Sequence, residues 1–390
     1  MCRIMKKCVM IMFVLCLSLH ISMNVEAVSP KKLSLASKSA ILVDSTTGRV
    51  LYEKNGYERM YPASLTKIAT AIYALENGNL NDIVTISKNV EHTDGTKVYL
   101  VEGEQVTLKH LIQGLLINSG NDAGVAIAEH MSGSVSEFAK NLNTFLMDKV
   151  GVSATHFVNP HGLFAKNHYT TAYDIAKITN YAMKNKTFRQ IFETKELSWN
   201  GKEWKTVLIT HHLMLKGELE YKEVTGGKTG YVNESGQTLA TTAENKNIRL
   251  TVITMDAKTK SEAYNDTKKL LDYGFKYFVT SSLPKGMTYK KGEEIYIIPH
   301  KIMFTKLINS NVSEHVSKNG ELKITDRKGM SLESFQLSPI KVKAEEKENT
   351  RDTLKESDKK KWYSYPLIMI IVIGSAGSII KLFRSKRTNF

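Results

Sequence analysis

Cysteine is almost missing from this chain. Of 390 residues only Cys2, Cys8 and Cys16 are cysteines, and all three fall within a segment that reads as a leader. Arg3, Lys6 and Lys7 precede the apolar run "CVMIMFVLCLSL" (8–19), and "VEA" (25–27) then supplies small residues where a signal peptidase cuts. An uncleaved anchor is the alternative, but the apolar run is short and the cleavage pattern follows it. Leu15 stands before Cys16 where a lipoprotein signal requires a small residue, so lipid attachment is not expected there. Removal of residues 1–27 would leave no cysteine, which excludes disulfides, cysteine nucleophiles and thiolate metal sites. The exported body must then be held together by its core alone. With 42% hydrophobic and 24% charged residues, the composition is sufficient for one of ordinary size.

Other absences narrow the function. The net charge is +15, yet there is no nucleic-acid motif and no basic helix with interleaved aromatics. An anionic surface is therefore the expected partner, and nucleic acid is not. There is no internal repeat. His156, His161 and His168 cluster in sequence, but without an acid at ligand spacing or an H-E-x-x-H pattern, so a zinc peptidase is set aside and no metal is expected.

The C-terminal end indicates a membrane. Trp362 to Ile380 runs nineteen residues without a charge, close to the ~20 that cross a bilayer as a helix. Trp362, Tyr363 and Tyr365 flank one end, and Lys381, Arg384, Lys386 and Arg387 crowd the other, which predicts a cytoplasmic tail. A helix lying in the interface is the rival, but the segment lacks a strongly charged face. The expected organisation is a leader at 1–27, a main domain at 28–280 and a small β-rich domain at 281–342. A charged linker (343–361), a membrane anchor (362–383) and a tail (384–390) follow. The location implied is the extracytoplasmic face of the cell membrane.

Within the main domain, "AILVDSTTGRVLYEK" (40–54) predicts two strands joined by a turn at Gly48. Helical spacing then dominates: Ile68, Ile72 and Leu75; Leu108, Leu111, Ile112 and Leu115; Phe138, Leu142, Phe145 and Leu146. "GGKTGYV" (226–232), "QTLATTA" (237–243) and "IRLTVITMDA" (248–257) read as three strands with hairpin turns between them. A helix from about Ser261 to Phe278 closes the domain. Strands at both ends with helices between predict an α+β fold, an antiparallel sheet flanked by helices. Short alternating runs such as "EEIYIIP" and "GELKITD" mark the β-rich domain.

Three short motifs carry the chemistry. "YPASLTK" (61–67) places Ser64 and Lys67 three positions apart at a helix start, so the amine can reach the hydroxyl. A serine is a weak nucleophile until a neighbour takes its proton. A lysine can do so if burial or a nearby cation lowers its pKa. Alone, the pair also fits a surface capping turn. "NSGND" (118–122) puts Ser119 and Asn121 in a turn after an apolar helix, which also fits a helix stop and a new cap. "GGKTG" (226–230) opens a strand whose glycines Gly226, Gly227 and Gly230 allow close backbone approach by a ligand. Its plainer reading is a loosely packed edge strand.

Taken together and in this order, Ser-x-x-Lys, Ser-x-Asn and Lys-Thr-Gly resemble the motifs of penicillin-recognising serine acyl transferases. The stretches "AILVDSTTGRVLYEKN", "PASLTKIATA", "INSGNDAGVAIAEH" and "NPHGLFAKNHYTTAYDIA" narrow the resemblance. Over about 34–342 the chain resembles low-molecular-weight penicillin-binding proteins, and within them the serine-type D-alanyl-D-alanine carboxypeptidases. The resemblance implies a β-lactamase/transpeptidase-like domain that needs no cofactor. Its substrate would be a peptidoglycan stem peptide, and β-lactams would act as acylating inhibitors. It assigns Ser64 as nucleophile, Lys67 as proton acceptor and Ser119 as proton relay. Asn121 would hold the substrate amide and Lys67, and Lys228 and Thr229 the terminal carboxylate. Gly230 and Tyr231 complete the strand that binds substrate, and the amides of Ser64 and Tyr231 form the oxyanion hole.

Two rivals remain at this point. A class A β-lactamase would carry a glutamate-bearing loop, and "NPHGLFAKNH" (159–168) has no acid. A receptor acylated without turnover would need an output domain, and the tail beyond Ile380 has only ten residues, although a partner could read it. One departure from the carboxypeptidases also stands out: Lys258 and Lys260 occupy a stretch that often carries an arginine.

Overall fold

The turn expected at Gly48 closes a hairpin of strands β1 (Ser39–Asp44) and β2 (Val50–Lys54). Gly48 has φ +78°, a left-handed conformation in which a side chain would be strained. This hairpin is one edge of a five-stranded sheet in a computed structural model that describes residues 32–340. The expected leader (1–27), linker (343–361), membrane helix (362–383) and tail (384–390) lie outside the described residues. Among those described, no helix is long and apolar enough to cross a membrane.

After β2 the chain forms helix α1 (Thr66–Asn77), then the short strands β3 (Ile83–Thr85) and β4 (Gln105–Thr107), which pair with each other. Helices α2 (Leu108–Ile117), α3 (Asn121–Ser132), α4 (Val135–Phe145), α5 (Ala172–Ala182) and α6 (Lys186–Phe192) follow. A hairpin of β5 (Glu196–Asn200) and β6 (Lys205–Ile209) and one turn of helix α7 (Leu213–Lys216) lead back to the sheet. Strands β7 (Val224–Val232), β8 (Gly236–Glu244) and β9 (Arg249–Ala257) then run as an antiparallel meander. The sheet order is β2-β1-β9-β8-β7. Helix α8 (Lys260–Tyr277) starts at a capping box made by Thr259 and Glu262.

Period-two alternation explains the layering. Along β1, Ile41 and Val43 point into a core built with the helices between α1 and α6, whereas Ala40 and Leu42 point into a second core against α8. Along β9, Ile253 and Met255 face the first core, and Leu250 and Val252 the second. Each fully buried Ile or Leu contributes about 1.5–3 kcal/mol, so a sheet with two covered faces stabilises itself without disulfides. Helix α8 lies close on the sheet because Gly274 has no side chain: a Cβ there would come within 2.6 Å of Leu250.

Beyond α8, eight short strands form the β-rich part: β10 (Phe278–Leu283), β11 (Thr288–Lys291), β12 (Glu294–Ile297), β13 (Ile302–Leu307), β14 (Val312–Val316), β15 (Glu321–Asp326), β16 (Ser331–Gln336) and β17 (Ser338–Ile340). They enclose their own core, which includes Tyr296, Phe304, Leu322 and Ile324. Polar bonds join this part to the β1–β2 hairpin. The buried carboxylate of Asp44 accepts from the hydroxyls of Thr280 and Thr305, both at 2.7 Å, and Arg49 Nη1 donates to the Leu332 carbonyl at 2.7 Å.

Candidate active site

Ser64 does not sit inside α1 but in a 3-10 turn, Ala63–Leu65, just before it. Ala63 takes φ +47°, a strained value for a residue with a side chain. Several groups hold this turn. Thr66 Oγ1 donates to the Ala63 carbonyl at 2.9 Å and lies 2.8 Å from His168 Nε2. The other ring nitrogen of His168, Nδ1, accepts the Val158 N–H at 3.1 Å, so Nε2 carries the proton and Thr66 passes on one of its own. From β8, Thr238 Oγ1 donates to the Pro62 carbonyl at 3.1 Å. Gly162 (φ +89°) packs directly on the Ala63 carbonyl, where a Cβ would overlap it.

Lys67 lies on the first turn of α1 and is fully buried. Its Nζ is 2.8 Å from Ser64 Oγ and 2.6 Å from the His161 carbonyl oxygen. Burial pushes its pKa well below the usual lysine value, and the neighbouring Lys228 pushes it further the same way. The condition that a lysine base requires is therefore met by the fold.

Ser119 stands between α2 and α3 with φ +64°, a second strained residue at the site. Its Oγ is 3.2 Å from Ser64 Oγ and accepts from Lys228 Nζ at 3.0 Å. Lys67, Ser64, Ser119 and Lys228 thus form one continuous chain of polar contacts. Lys228 is buried in β7, and burial lowers its pKa to about 7. Among the described residues, neither lysine has a carboxylate at ion-pair distance.

Ser64, Ser119, Thr229, Gly230 and Tyr231 line one cavity of about 280 Å³. His211, Lys260 and Tyr264 also line it, and none of these three had been assigned a role by the motifs. Lys260 is one of the two lysines at the expected arginine stretch. Gly230 brings β7 against the Ser64 turn, since a Cβ there would lie 2.8 Å from the Ser64 nitrogen.

Two expectations need correction. Gly226 and Gly227 do not make room for a ligand: the space beside Gly226 is filled by Phe192 and that beside Gly227 by His212. His212 is locked there as a neutral ring, accepting the Leu215 N–H at Nδ1 and meeting Thr241 Oγ1 at 2.8 Å through Nε2. Its burial lowers its pKa to about 3. The amide of Asn121 does not reach Lys67 either. Its Nδ2 donates to the Asp94 carbonyl at 2.7 Å, while Lys67 is satisfied by Ser64 and His161.

The next residue, Asp122, is one that sequence reasoning missed. Its buried carboxylate accepts N–H bonds from Val98, Leu100 and Ala123, and so ties the 94–100 segment to the start of α3. The 159–168 segment brings no acid to the site. It contributes carbonyls instead, that of His161 to Lys67 and that of Pro160 to Thr70 at 2.7 Å.

Two serine hydroxyls in contact, flanked by two buried amines and set beside the edge strand of an antiparallel sheet with helices on both faces, define a serine hydrolase of the penicillin-binding fold. A family model described as D-alanyl-D-alanine carboxypeptidase matches residues 24–259. The chain belongs to that family of serine peptidases, whose work is on cell-wall peptidoglycan. It is 34% identical over 302 residues to the D-alanyl-D-alanine carboxypeptidase DacF of Bacillus subtilis, covering 74% of this chain and 75% of that one. It is 30% identical over 311 residues to DacA of Haemophilus influenzae, with 74% and 75% covered. Among solved structures, penicillin-binding protein 5 from Haemophilus influenzae superposes with a TM-score of 0.71 at 26% identity, over 80% of this chain and 98% of that one. Penicillin-binding protein 6B from Escherichia coli gives 0.68 at 26% identity, over 82% and 99%.

Proposed function

We propose that the chain removes the terminal D-alanine from peptidoglycan stem pentapeptides through an acyl-enzyme on Ser64. The observation that carries this reading is the 2.8 Å contact between Ser64 Oγ and a Lys67 amine buried beside a second cation. Lys67 takes the Ser64 proton as Oγ attacks the carbonyl between the two D-alanines. The C–N bond then breaks, and the proton returns through Ser119 to the departing nitrogen. The N–H groups of Ser64 and Tyr231 stabilise the oxyanion, each such donor contributing ~3 kcal/mol. Lys228 and Thr229 hold the terminal carboxylate, with Lys260 as an added cation at the cavity wall. Asn121, whose amide nitrogen is committed to Asp94, uses its oxygen to accept the substrate N–H. Water releases the acyl group, and Lys67 again serves as base, because 159–168 supplies no carboxylate.

β-Lactams acylate the same serine. The active domain (28–280) and the β-rich domain (281–342) are exported behind the leader (1–27). A tether through 362–383 then keeps them at the outer face of the membrane, with 343–361 as the linker and 384–390 in the cytoplasm.

The test is D-alanine release from a peptide ending in Lys-D-Ala-D-Ala by the full chain and by its Ser64→Ala variant. Release by the parent and none by the variant is expected. A parent that folds and binds labelled penicillin but releases no D-alanine would overturn the carboxypeptidase in favour of a receptor acylated without turnover.

A pH profile follows from the two lysines. Burial and the charge of Lys228 lower the pKa of Lys67, with Asp122 opposing them, and burial lowers that of Lys228. The active form has neutral Lys67 and charged Lys228. The kcat/KM for the peptide should therefore rise with pH as Lys67 deprotonates and fall through about 7 as Lys228 does. Lys228→Arg, which stays charged, should remove the falling limb and leave the rising one in place. A falling limb unmoved by that variant would take Lys228 out of carboxylate binding.

A further inference from the structure

A larger cavity, about 470 Å³, opens near the other end of β7 from the catalytic residues. The strand rise of about 3.3 Å per residue puts Thr225 on its wall about 13 Å from Thr229. Three cations reach this cavity: Lys184, between α5 and α6; Arg189, on α6; and Arg249, at the start of β9. The single acid among its lining residues, Glu244, is already paired with Arg249 Nε at 2.9 Å.

The arrangement of Arg189 is fixed by the protein. Its Nη1 donates to the carbonyls of Met183 at 2.6 Å and Lys184 at 3.0 Å, and among the described residues its other N–H groups have no acceptor. Arg249 similarly uses only Nε in its ion pair. The remaining polar groups are hydroxyls and one amide. Thr251 Oγ1 donates to Asn180 Oδ1 at 2.6 Å, and among the described residues Asn180 Nδ2 has no acceptor. Thr225 Oγ1 donates to Thr242 Oγ1 at 3.0 Å, while Ser45 Oγ pairs with Thr251 Oγ1 at 2.8 Å. The cavity thus offers many donors, and besides hydroxyl oxygens its free side-chain acceptor is the second carboxylate oxygen of Glu244.

We propose that this cavity binds a phosphate-bearing polyol, the chemistry of a phosphodiester chain in the cell wall. Guanidinium forks match phosphate oxygens in pairs, and a lysine adds a point charge. The hydroxyls suit the ligand's own hydroxyl groups, which both donate and accept. A peptide fits less well, since its N–H groups would find few acceptors and burying them unpaired is costly. An acyl chain would need an apolar slot, and the apolar lining is limited to Met183, Ala243 and Leu250. The chain's net charge of +15 adds attraction toward such a polyanion. The site is independent of the catalytic assignment, because it shares no residue with the catalytic cavity.

The test is calorimetric titration of the full chain with a synthetic glycerol phosphate trimer, with inorganic phosphate, and with vesicles containing phosphatidylglycerol. The trimer should bind more tightly than inorganic phosphate, and the double variant Lys184→Gln with Arg249→Gln should weaken it about tenfold or more. Lys285→Gln with Lys290→Gln, two exposed lysines of the β-rich part, should leave binding unchanged. Labelled-penicillin acylation should be the same in the parent and both double variants, which shows that the folded state survives. No trimer binding would overturn the proposal. Equal weakening by both double variants would reduce it to general attraction by a basic surface. Inorganic phosphate binding as tightly as the trimer would remove the polyol, and binding to vesicles without binding to the trimer would replace it with a lipid surface.

Discussion

Replacing Lys67 with alanine is expected to slow acylation of Ser64 by a labelled penicillin about 10²–10⁴-fold, the range lost when a positioned proton acceptor is removed. The argument is local. Ser64 Oγ has two close polar neighbours, Lys67 Nζ at 2.8 Å and Ser119 Oγ at 3.2 Å. Of the two, only the amine is basic enough to accept the Ser64 proton, and burial and Lys228 lower its pKa and so favour the free base that does so. Loss of packing could also slow the reaction, so a second measurement separates the two. A small primary amine diffusing into the vacated space should restore part of the rate, and more of it as pH rises and the free base accumulates. A variant within about tenfold of the parent would place the base elsewhere. A slow variant that no amine rescues would make Lys67 a structural residue.

Gly162→Ala should be nearly as damaging although Gly162 carries no functional group. Its φ of +89° already penalises any side chain, and the added Cβ would overlap the carbonyl of Ala63. That carbonyl cannot retreat easily, because Thr66 and, behind it, His168 hold it from the other side. Overpacking against backbone plus the left-handed strain costs about 2–5 kcal/mol. The turn that carries Ser64 must shift, and a displacement of about 1 Å at a nucleophile can cost 10²-fold in rate. Thermal unfolding and penicillin acylation should both report the change. Gly133→Ala is the control: it has φ +76° but nothing within 4 Å of the added Cβ, so it should lose only about 1–2 kcal/mol and keep its acylation rate. Equal loss in both variants would mean that strain alone, and not the contact with the nucleophile turn, matters at Gly162.

Much of the sheet was legible in the sequence. Strands whose two faces are both buried still alternate between two different cores, and the turns at Gly48, 233–235 and 245–248 carry residues that suit tight reversals. The hairpin of β5 and β6 was not legible. Of its ten residues only Trp199 and Leu208 are buried, and Trp199 earns its place by stacking on His110 at 4.2 Å and packing on Gly114. Those contacts join residues far apart in sequence, and no local period announces them.

The same division holds at the site. Ser64 and Lys67 were paired by their spacing, and Ser119 and Lys228 were added by the resemblance of their motifs. The sequence by itself determined which residue types would come together, and that residues 32–340, which hold no cysteine, stand without disulfides. Only the tertiary structure decided that the pKa of Lys67 is lowered by burial, that Asn121 turns to Asp94, that His212 and Phe192 fill the space beside Gly227 and Gly226, and that Gly162 supports the Ala63 turn. The reason is physical. Spacing along a helix or strand fixes neighbours within a few residues, whereas desolvation, steric overlap and the choice of a hydrogen-bond partner depend on whichever distant segment packs against them.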